Sequence, residues 1–298
     1  MVIRDFDYTE ASTVQEACKL LNQLGEEAKV ISGGNALVLL MKQGVFRPKH
    51  LVSISGIPGL DEVSLDAQGN VHIGGLVTHR TVETSPLIKE NLPVISQMAK
   101  QVANIRVRNT GTIGGNLCHA DPHSDPPALL IALGARVRAV GLSGERVIPL
   151  DEFFLDYYET ALEKDEILIQ VVIPAPAPRT GFSYQRLTAP SETGKPCVNV
   201  AVALSLNGDA NRCNEVRIAV GSVSPTPVKV SEAEQVLRGR LPDSASIEKA
   251  AEAAAKEASP TGDIYGSEWY KREMVKLLVR RGINEALTSA RATAVVRG

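Results

Sequence analysis

Two glycine-rich turns constrain this chain more than any other feature of its sequence. One is Ser32-Gly33-Gly34-Asn35, directly after the apolar run Ala28-Lys29-Val30-Ile31. The other is Arg106-Val107-Arg108-Asn109-Thr110-Gly111-Thr112-Ile113-Gly114-Gly115-Asn116, with three glycines in five positions. Glycine has no Cβ, so the backbone there can approach a neighbour closely or take a left-handed turn. Successive N–H groups turned to one side form an anion nest. A single Gly-Gly pair reads as a plain turn. Two such turns in one domain suit a diphosphate, whose two phosphates are held from two sides. Neither turn is a Gly-x-Gly-x-x-Gly fingerprint, and no Gly-Lys-Ser/Thr of a P-loop follows.

The surrounding pattern places these turns. Residues 13–24 have apolar side chains at helical spacing, Val14, Ala17, Cys18, Leu21 and Leu24, with Thr13 and Glu16 as a possible capping box and Gly25 as a stop. A strand over 28–31 delivers the first turn. A helix over 36–42 follows, and its N-terminus favours an anion at that turn. A third short strand falls at 51–54. From residue 62 the texture changes to hairpins, 62–65 with 71–74 and 136–140 with 146–149. Helices are predicted over 81–89, 93–102 and 127–133, and a strongly apolar strand over 166–173. The pair Gly74-Gly75 reads as a bulge or strand exit.

Pro174-Ala-Pro-Ala-Pro178 is a semi-rigid spacer that continues neither helix nor central strand. A domain boundary is placed there, giving 1–176 (subdomains of about 1–56 and 57–176) and 177–298. Beyond it, strands are predicted over 181–187, 197–206 and 215–223, with a turn-rich piece at 207–211, then helices over 231–237, 245–258 and 267–287. The expected class is α+β: two α/β subdomains, then a three-stranded antiparallel sheet with a helical bundle.

Composition removes several functions. A formal net charge of −2 gives no electrostatic case for nucleic acid or an anionic membrane. No apolar run approaches the roughly eighteen residues of a membrane span. The acidic opening, Met1-Val-Ile-Arg-Asp-Phe-Asp7, does not read as a signal peptide, which makes the cytoplasm the expected location. Cys18, Cys118, Cys197 and Cys213 are scattered, so neither an iron–sulfur cluster nor a structural zinc is expected within the chain. Aromatic residues make up only 4%, so a bound planar ring would be held mainly by aliphatic side chains and backbone.

Ala28-Lys-Val-Ile-Ser-Gly-Gly-Asn-Ala-Leu37, Arg108-Asn-Thr-Gly-Thr-Ile-Gly-Gly-Asn-Leu117 and Ala120-Asp-Pro-His-Ser-Asp-Pro-Pro-Ala-Leu129 resemble the FAD-binding loops of the medium, flavoprotein subunit of molybdenum hydroxylases. That family includes aerobic carbon monoxide dehydrogenase and the xanthine dehydrogenases. The resemblance runs almost the whole chain and implies a PCMH-type FAD-binding fold with a C-terminal flavoprotein domain. It implies that Val30, Ile31, Ser32, Gly33, Gly34, Asn35 and Ala36 wrap one side of the FAD diphosphate, and Thr112, Gly114, Gly115 and Asn116 the other. Asp125 matches the aspartate that binds the adenosine ribose; as a helix N-cap it has an ordinary alternative role. Leu168 matches a position beside the adenine, or is simple strand core. Arg186 stands near a family lysine and is the candidate cation for the isoalloxazine; a surface arginine is the alternative. Val102 occupies a position where some relatives carry an aromatic over the flavin. Plain turn capping is the alternative for Thr112 and Asn116.

The resemblance also implies partners: a molybdopterin-binding large subunit and a small subunit with 2Fe–2S clusters, as a dimer of heterotrimers. Electrons would pass from those clusters to FAD and on to a quinone, NAD or O2. One alternative is a non-enzymatic nucleotide-binding or scaffolding subunit that has lost its redox work, and two other readings remain at this point. One is a stand-alone FAD-dependent reductase or oxidase of the same fold, such as an enolpyruvyl-sugar reductase. The other is a metal-dependent hydrolase built on the loop containing His119, Asp121, His123 and Asp125.

Overall fold

The structure, a computed structural model, describes residues 4–188, 194–208 and 212–296. The chain opens with β1 (Asp7–Glu10), α1 (Val14–Leu24), β2 (Ala28–Ile31), α2 (Asn35–Gln43) and β3 (His50–Ser53). The strands form a parallel sheet in the order β1-β3-β2. Strand β1 was not foreseen. All four of its residues are exposed, so no apolar alternation marks it as an edge strand. Helix α1 buries Ala17, Cys18 and Leu21. Its cap differs slightly from the expected box: Thr13 accepts from the Glu16 N–H, but the Glu16 carboxylate reaches back to Ser12, 2.8 Å from its N and 2.6 Å from its Oγ.

A second layer follows. It comprises β4 (Val63–Leu65), β5 (Val71–Gly74), α3 (His79–Thr84), α4 (Pro86–Asn91), α5 (Pro93–Gln101), α6 (Ile105–Thr110), α7 (Ile113–His119), α8 (Pro126–Ala132), β6 (Arg136–Gly141), β7 (Gly144–Pro149), β8 (Phe154–Asp156), β9 (Glu159–Thr160) and β10 (Ile167–Ile173). The main sheet is antiparallel in the order β4-β5-β10-β6-β7, with β10 central. Two expectations change here. The single helix predicted over 81–89 is two helices, because Ser85 turns the chain and caps α4 while Pro86 takes its first turn. The second glycine stretch is not an open loop. Asn104 caps α6 and Thr112 caps α7, so two short helices meet at Gly111.

After residues 174–178 come β11 (Thr180–Thr188), β12 (Pro196–Leu206), β13 (Cys213–Gly221) and β14 (Val228–Lys229). They form an antiparallel sheet in that order. The two-residue β14 adds an edge to the three strands expected. Helices α9 (Ser231–Leu237), α10 (Ser244–Glu257) and α11 (Glu268–Val296) complete this part. Of the turn expected at 207–211, residues 209–211 lie outside the described residues. Nearly all of β12 is buried, because α11 covers one face of the sheet and α8 packs on the other. Every residue of α8 is buried, and the core it belongs to extends to Ala201, Ala219, Phe182 and Tyr184 of the C-terminal sheet. Burying that shared apolar surface joins the two parts. Among the described residues, no helix is long and apolar enough to cross a membrane.

Candidate cofactor site

The two glycine stretches meet. Gly33 lies so close to the α6–α7 junction that a Cβ on it would stand 1.9 Å from the Thr110 carbonyl oxygen. Gly34 takes a left-handed φ of 71° and starts α2. Asn35 Nδ2 donates to Thr110 Oγ1 at 3.0 Å, and the Ser32 and Thr112 hydroxyls are 3.1 Å apart. No side chain caps α2. Among the described residues, the N–H groups of Gly33, Gly34, Asn35 and Ala36 find no acceptor within the protein. Four adjacent donors at the N-terminus of a nine-residue helix make a positive, preorganised anion site. Val30 and Ile31, both half-buried, end the strand that delivers it.

The second stretch offers different chemistry from that expected. Three of its N–H groups are already taken: Ile113 donates to the Val77 carbonyl (2.9 Å), Gly114 to Gly75 (3.0 Å), and Gly115 to Thr112 Oγ1 (3.0 Å). A Cβ on Gly114 would stand 2.6 Å from the Gly75 oxygen, so Gly75 is the floor on which α7 rests. The Gly74-Gly75 pair is thus more than a strand exit. What this side presents is the Thr112 hydroxyl and the Asn116 amide. Ser124 Oγ donates to Asn116 Oδ1 at 2.7 Å, which turns the amide so that Nδ2 is its donor. Turn capping therefore describes Thr112 correctly, and its hydroxyl still reaches the first stretch.

Asp125 is 5% exposed. It occupies the N-cap position of α8, but its side chain makes no capping bond. Instead Tyr184 OH donates to Oδ1 at 2.6 Å, and Arg186 Nε stands 2.9 Å from the same oxygen. Burial raises the Asp125 carboxyl to about 6, against the pull of Arg186 and Tyr184. Arg186 is not a surface arginine: its side chain is 13% exposed, and it also donates to the carbonyls of Gln101 (3.0 Å) and Gly194. The Gln101 contact brings it beside Val102, which is buried at the end of α5. Leu168 is strand core, buried in β10 opposite Ala139.

The supposed metal loop is taken apart by its partners. His119 packs its ring 5.2 Å from Tyr158. Asp121 pairs with Lys195 at 2.5 Å, His123 Nε2 lies 3.0 Å from Asp263, and Asp125 faces Arg186. Among the described residues, no group of three His, Cys, Asp or Glu gathers at a metal-binding spacing. The hydrolase reading therefore lacks its ligand set.

Sequence reasoning did not single out Ser124, Tyr184, Lys195 or Asp263. One signal was present: Tyr184 and Arg186 are two apart in a strand, hence on one face. His79 was also overlooked. It is 2% exposed beneath Gly111, its Nδ1 has no hydrogen-bond partner among the described residues, and burial lowers it to about 4.

Residues 4–176 match the sequence family described as the FAD binding domain in molybdopterin dehydrogenase, and residues 192–286 match the CO dehydrogenase flavoprotein C-terminal domain. The chain is 34% identical to the carbon monoxide dehydrogenase medium chain of Hydrogenophaga pseudoflava, over 96% of this chain and 98% of that one. It is 35% identical to the nicotine 6-hydroxylase medium subunit of Paenarthrobacter nicotinovorans, over 94% and 96%. The solved carbon monoxide dehydrogenase from Hydrogenophaga pseudoflava has a chain that superposes with a TM-score of 0.93 at 35% identity, covering 97% of this chain and 99% of that one.

Proposed function

The chain belongs to the FAD-binding flavoprotein subunits of molybdopterin dehydrogenases, and from that membership we propose that it is the electron-transfer subunit of a heteromeric molybdenum hydroxylase. It is an oxidoreductase component with FAD as its cofactor. In the proposed enzyme it takes electrons from 2Fe–2S clusters on a small subunit. It passes them to an external quinone, NAD or O2, while a molybdopterin-bearing large subunit handles the substrate. The proposed assembly is a dimer of heterotrimers in the cytoplasm, with the domain division at 176/177.

The observation that carries this reading is the α2 N-terminus, where N–H groups with no acceptor among the described residues meet the side chains of Ser32, Asn35, Thr110 and Thr112. A diphosphate carries about two negative charges, and fixed backbone donors bind it without ordering a flexible lysine. We assign Val30, Ile31 and Ser32 to Ala36 to one side of the diphosphate. The hydroxyl of Thr112 and Nδ2 of Asn116 take the other, with Gly114 and Gly115 shaping that wall. Asp125 is assigned to the adenosine ribose: its Oδ1 is occupied by Tyr184 and Arg186, which leaves Oδ2 to accept from sugar hydroxyls. Leu168 is assigned to the adenine side, Val102 and Arg186 to the flavin side. FAD supplies the redox chemistry; this chain's residues bind it, orient it and set the charge around it. The scattered cysteines support placing the clusters on another chain.

Purification of the chain from its own cells under mild conditions tests the proposal. The expected product is a yellow complex whose flavin is FAD and whose companion chains carry molybdenum and iron–sulfur absorption. A colourless chain overturns the reading. A lone yellow chain that reduces a small substrate with NAD(P)H favours the self-contained reductase instead.

A further inference from the structure

The connector between α7 and α8, residues 120–125, bears both Ser124 and Asp125, yet much of what holds it comes from the C-terminal part of the chain. Lys195 pairs with Asp121. Asn199 Nδ2 donates to the Ser124 carbonyl at 3.0 Å. Arg186 and Tyr184 meet Asp125. Between these contacts sits His123, whose ring bridges two separate C-terminal segments. Its Nδ1 lies 3.0 Å from the Pro196 carbonyl at the start of β12. Its Nε2 lies 3.0 Å from Asp263 Oδ2 in the loop before α11. Tyr265 packs against the ring at 4.5 Å between centroids.

The far end of this contact is rigid. Asp263 is pinned by Lys271, which is 1% exposed, donates to Asp263 at 2.6 Å and donates again to the Ser222 carbonyl at 3.0 Å. The near end is the cofactor site. Ser124, next in sequence to His123, donates to Asn116 Oδ1 and so fixes which end of that amide is held and leaves Nδ2 as its donor. A carbonyl and a carboxylate only accept, so the neutral ring that burial favours donates to one of them, and only a charged ring donates to both.

We propose that His123 is a positioning residue for the flavin site, a latch through which the C-terminal domain holds the 120–125 connector and thereby aims the Asn116 amide. The proposal rests on the reading of the glycine stretches as an FAD site. His123 does not touch the cofactor in this account; it acts through Ser124 and Asn116. The consequence is that a C-terminal residue pair, Lys271 and Asp263, governs how tightly an N-terminal site retains FAD.

The test uses the full chain, stripped of flavin and titrated with FAD by fluorescence, with melting of the flavin-free protein as a check on folding. His123→Ala is expected to weaken FAD binding about tenfold, the loss that goes with one misplaced charge-assisted donor. His123→Asn, which keeps an amide donor near the Nδ1 position, is expected to return to within about threefold of wild type. In an Asn116→Ala background the effect of His123→Ala is expected to shrink below about twofold, since the group it positions is gone. A simple loss of packing has no reason to vanish in that background. If His123→Ala folds poorly, His123→Phe, which keeps a ring against Tyr265 and loses both polar contacts, reads the same coupling with and without Asn116→Ala. Unchanged affinity in His123→Ala overturns the latch, as does a full tenfold loss in the Asn116→Ala background. A wild-type chain that takes up no FAD overturns the underlying reading, and the latch with it.

Discussion

Replacing Gly33 with alanine tests the geometry of the site at its tightest point. The new Cβ would stand 1.9 Å from the Thr110 carbonyl oxygen, 2.8 Å from its carbon and 3.1 Å from Gly111 Cα. All three are backbone atoms, so no rotamer change relieves the overlap. Ordinary contact needs roughly 3.5 Å, so the two stretches must part by about 1.5 Å. The Asn35–Thr110 bond at 3.0 Å and the Ser32–Thr112 contact at 3.1 Å then exceed hydrogen-bonding range. Overpacking of this kind costs about 1–3 kcal/mol of fold stability. The effect on binding is larger, because the donors of the first stretch and those of Thr112 and Asn116 no longer reach one diphosphate together. Losing two charge-assisted donors weakens binding by about 3 kcal/mol or more, a factor of at least about one hundred. The assay is FAD titration of the flavin-free chain beside Gly56→Ala, whose Cβ meets nothing within 4 Å. If Gly33→Ala binds FAD within threefold of that control, the two stretches do not grip one ligand, and the argument from their contact fails.

Thr112→Val keeps the shape but removes the hydroxyl that caps α7 and meets Ser32; a loss of about 1–2 kcal/mol in urea unfolding is expected, with FAD binding about tenfold weaker. An unchanged unfolding midpoint would show that the cap contributes nothing. Asp125 gives a pH dependence with a definite sign. Its folded pKa of about 6 lies above the ordinary 3.8, so its protonated form is the one favoured by folding. The stability it contributes is present below about pH 4 and is lost as pH rises through about 6, amounting to about 3 kcal/mol. Urea midpoints of wild type and Asp125→Asn, compared from pH 4 to 7, should diverge over that window, and parallel curves would contradict the assignment.

Much of the local structure was legible in the sequence. Periodicity placed α1 at 13–24 against Val14–Leu24, and β2 at 28–31 as observed, because each has an apolar pattern and a stop. The strand at 166–173 was equally plain, being apolar on both faces, as its central place in the sheet requires. Elements without a buried face escaped notice. Strand β1 is exposed throughout and β14 has two residues, so neither leaves a pattern to read. The break at Ser85-Pro86 was written in the sequence and was overridden by the helical spacing around it.

For the site, the sequence alone determined its raw material: glycines in two places, a helix start after each, and polar side chains among them. Those are properties of consecutive residues, and local backbone chemistry dictates them. Which donors remain free was decided only by the tertiary structure. Gly114 donates to Gly75 and Gly115 to Thr112, whereas among the described residues the N–H groups of Gly33 to Ala36 find no acceptor. The same holds for Asp125, which local rules make a helix cap and which Arg186 and Tyr184 claim from across the domain junction. Hydrogen-bond partners far apart in sequence are chosen by how the sheets pack, and no spacing along the chain encodes that choice.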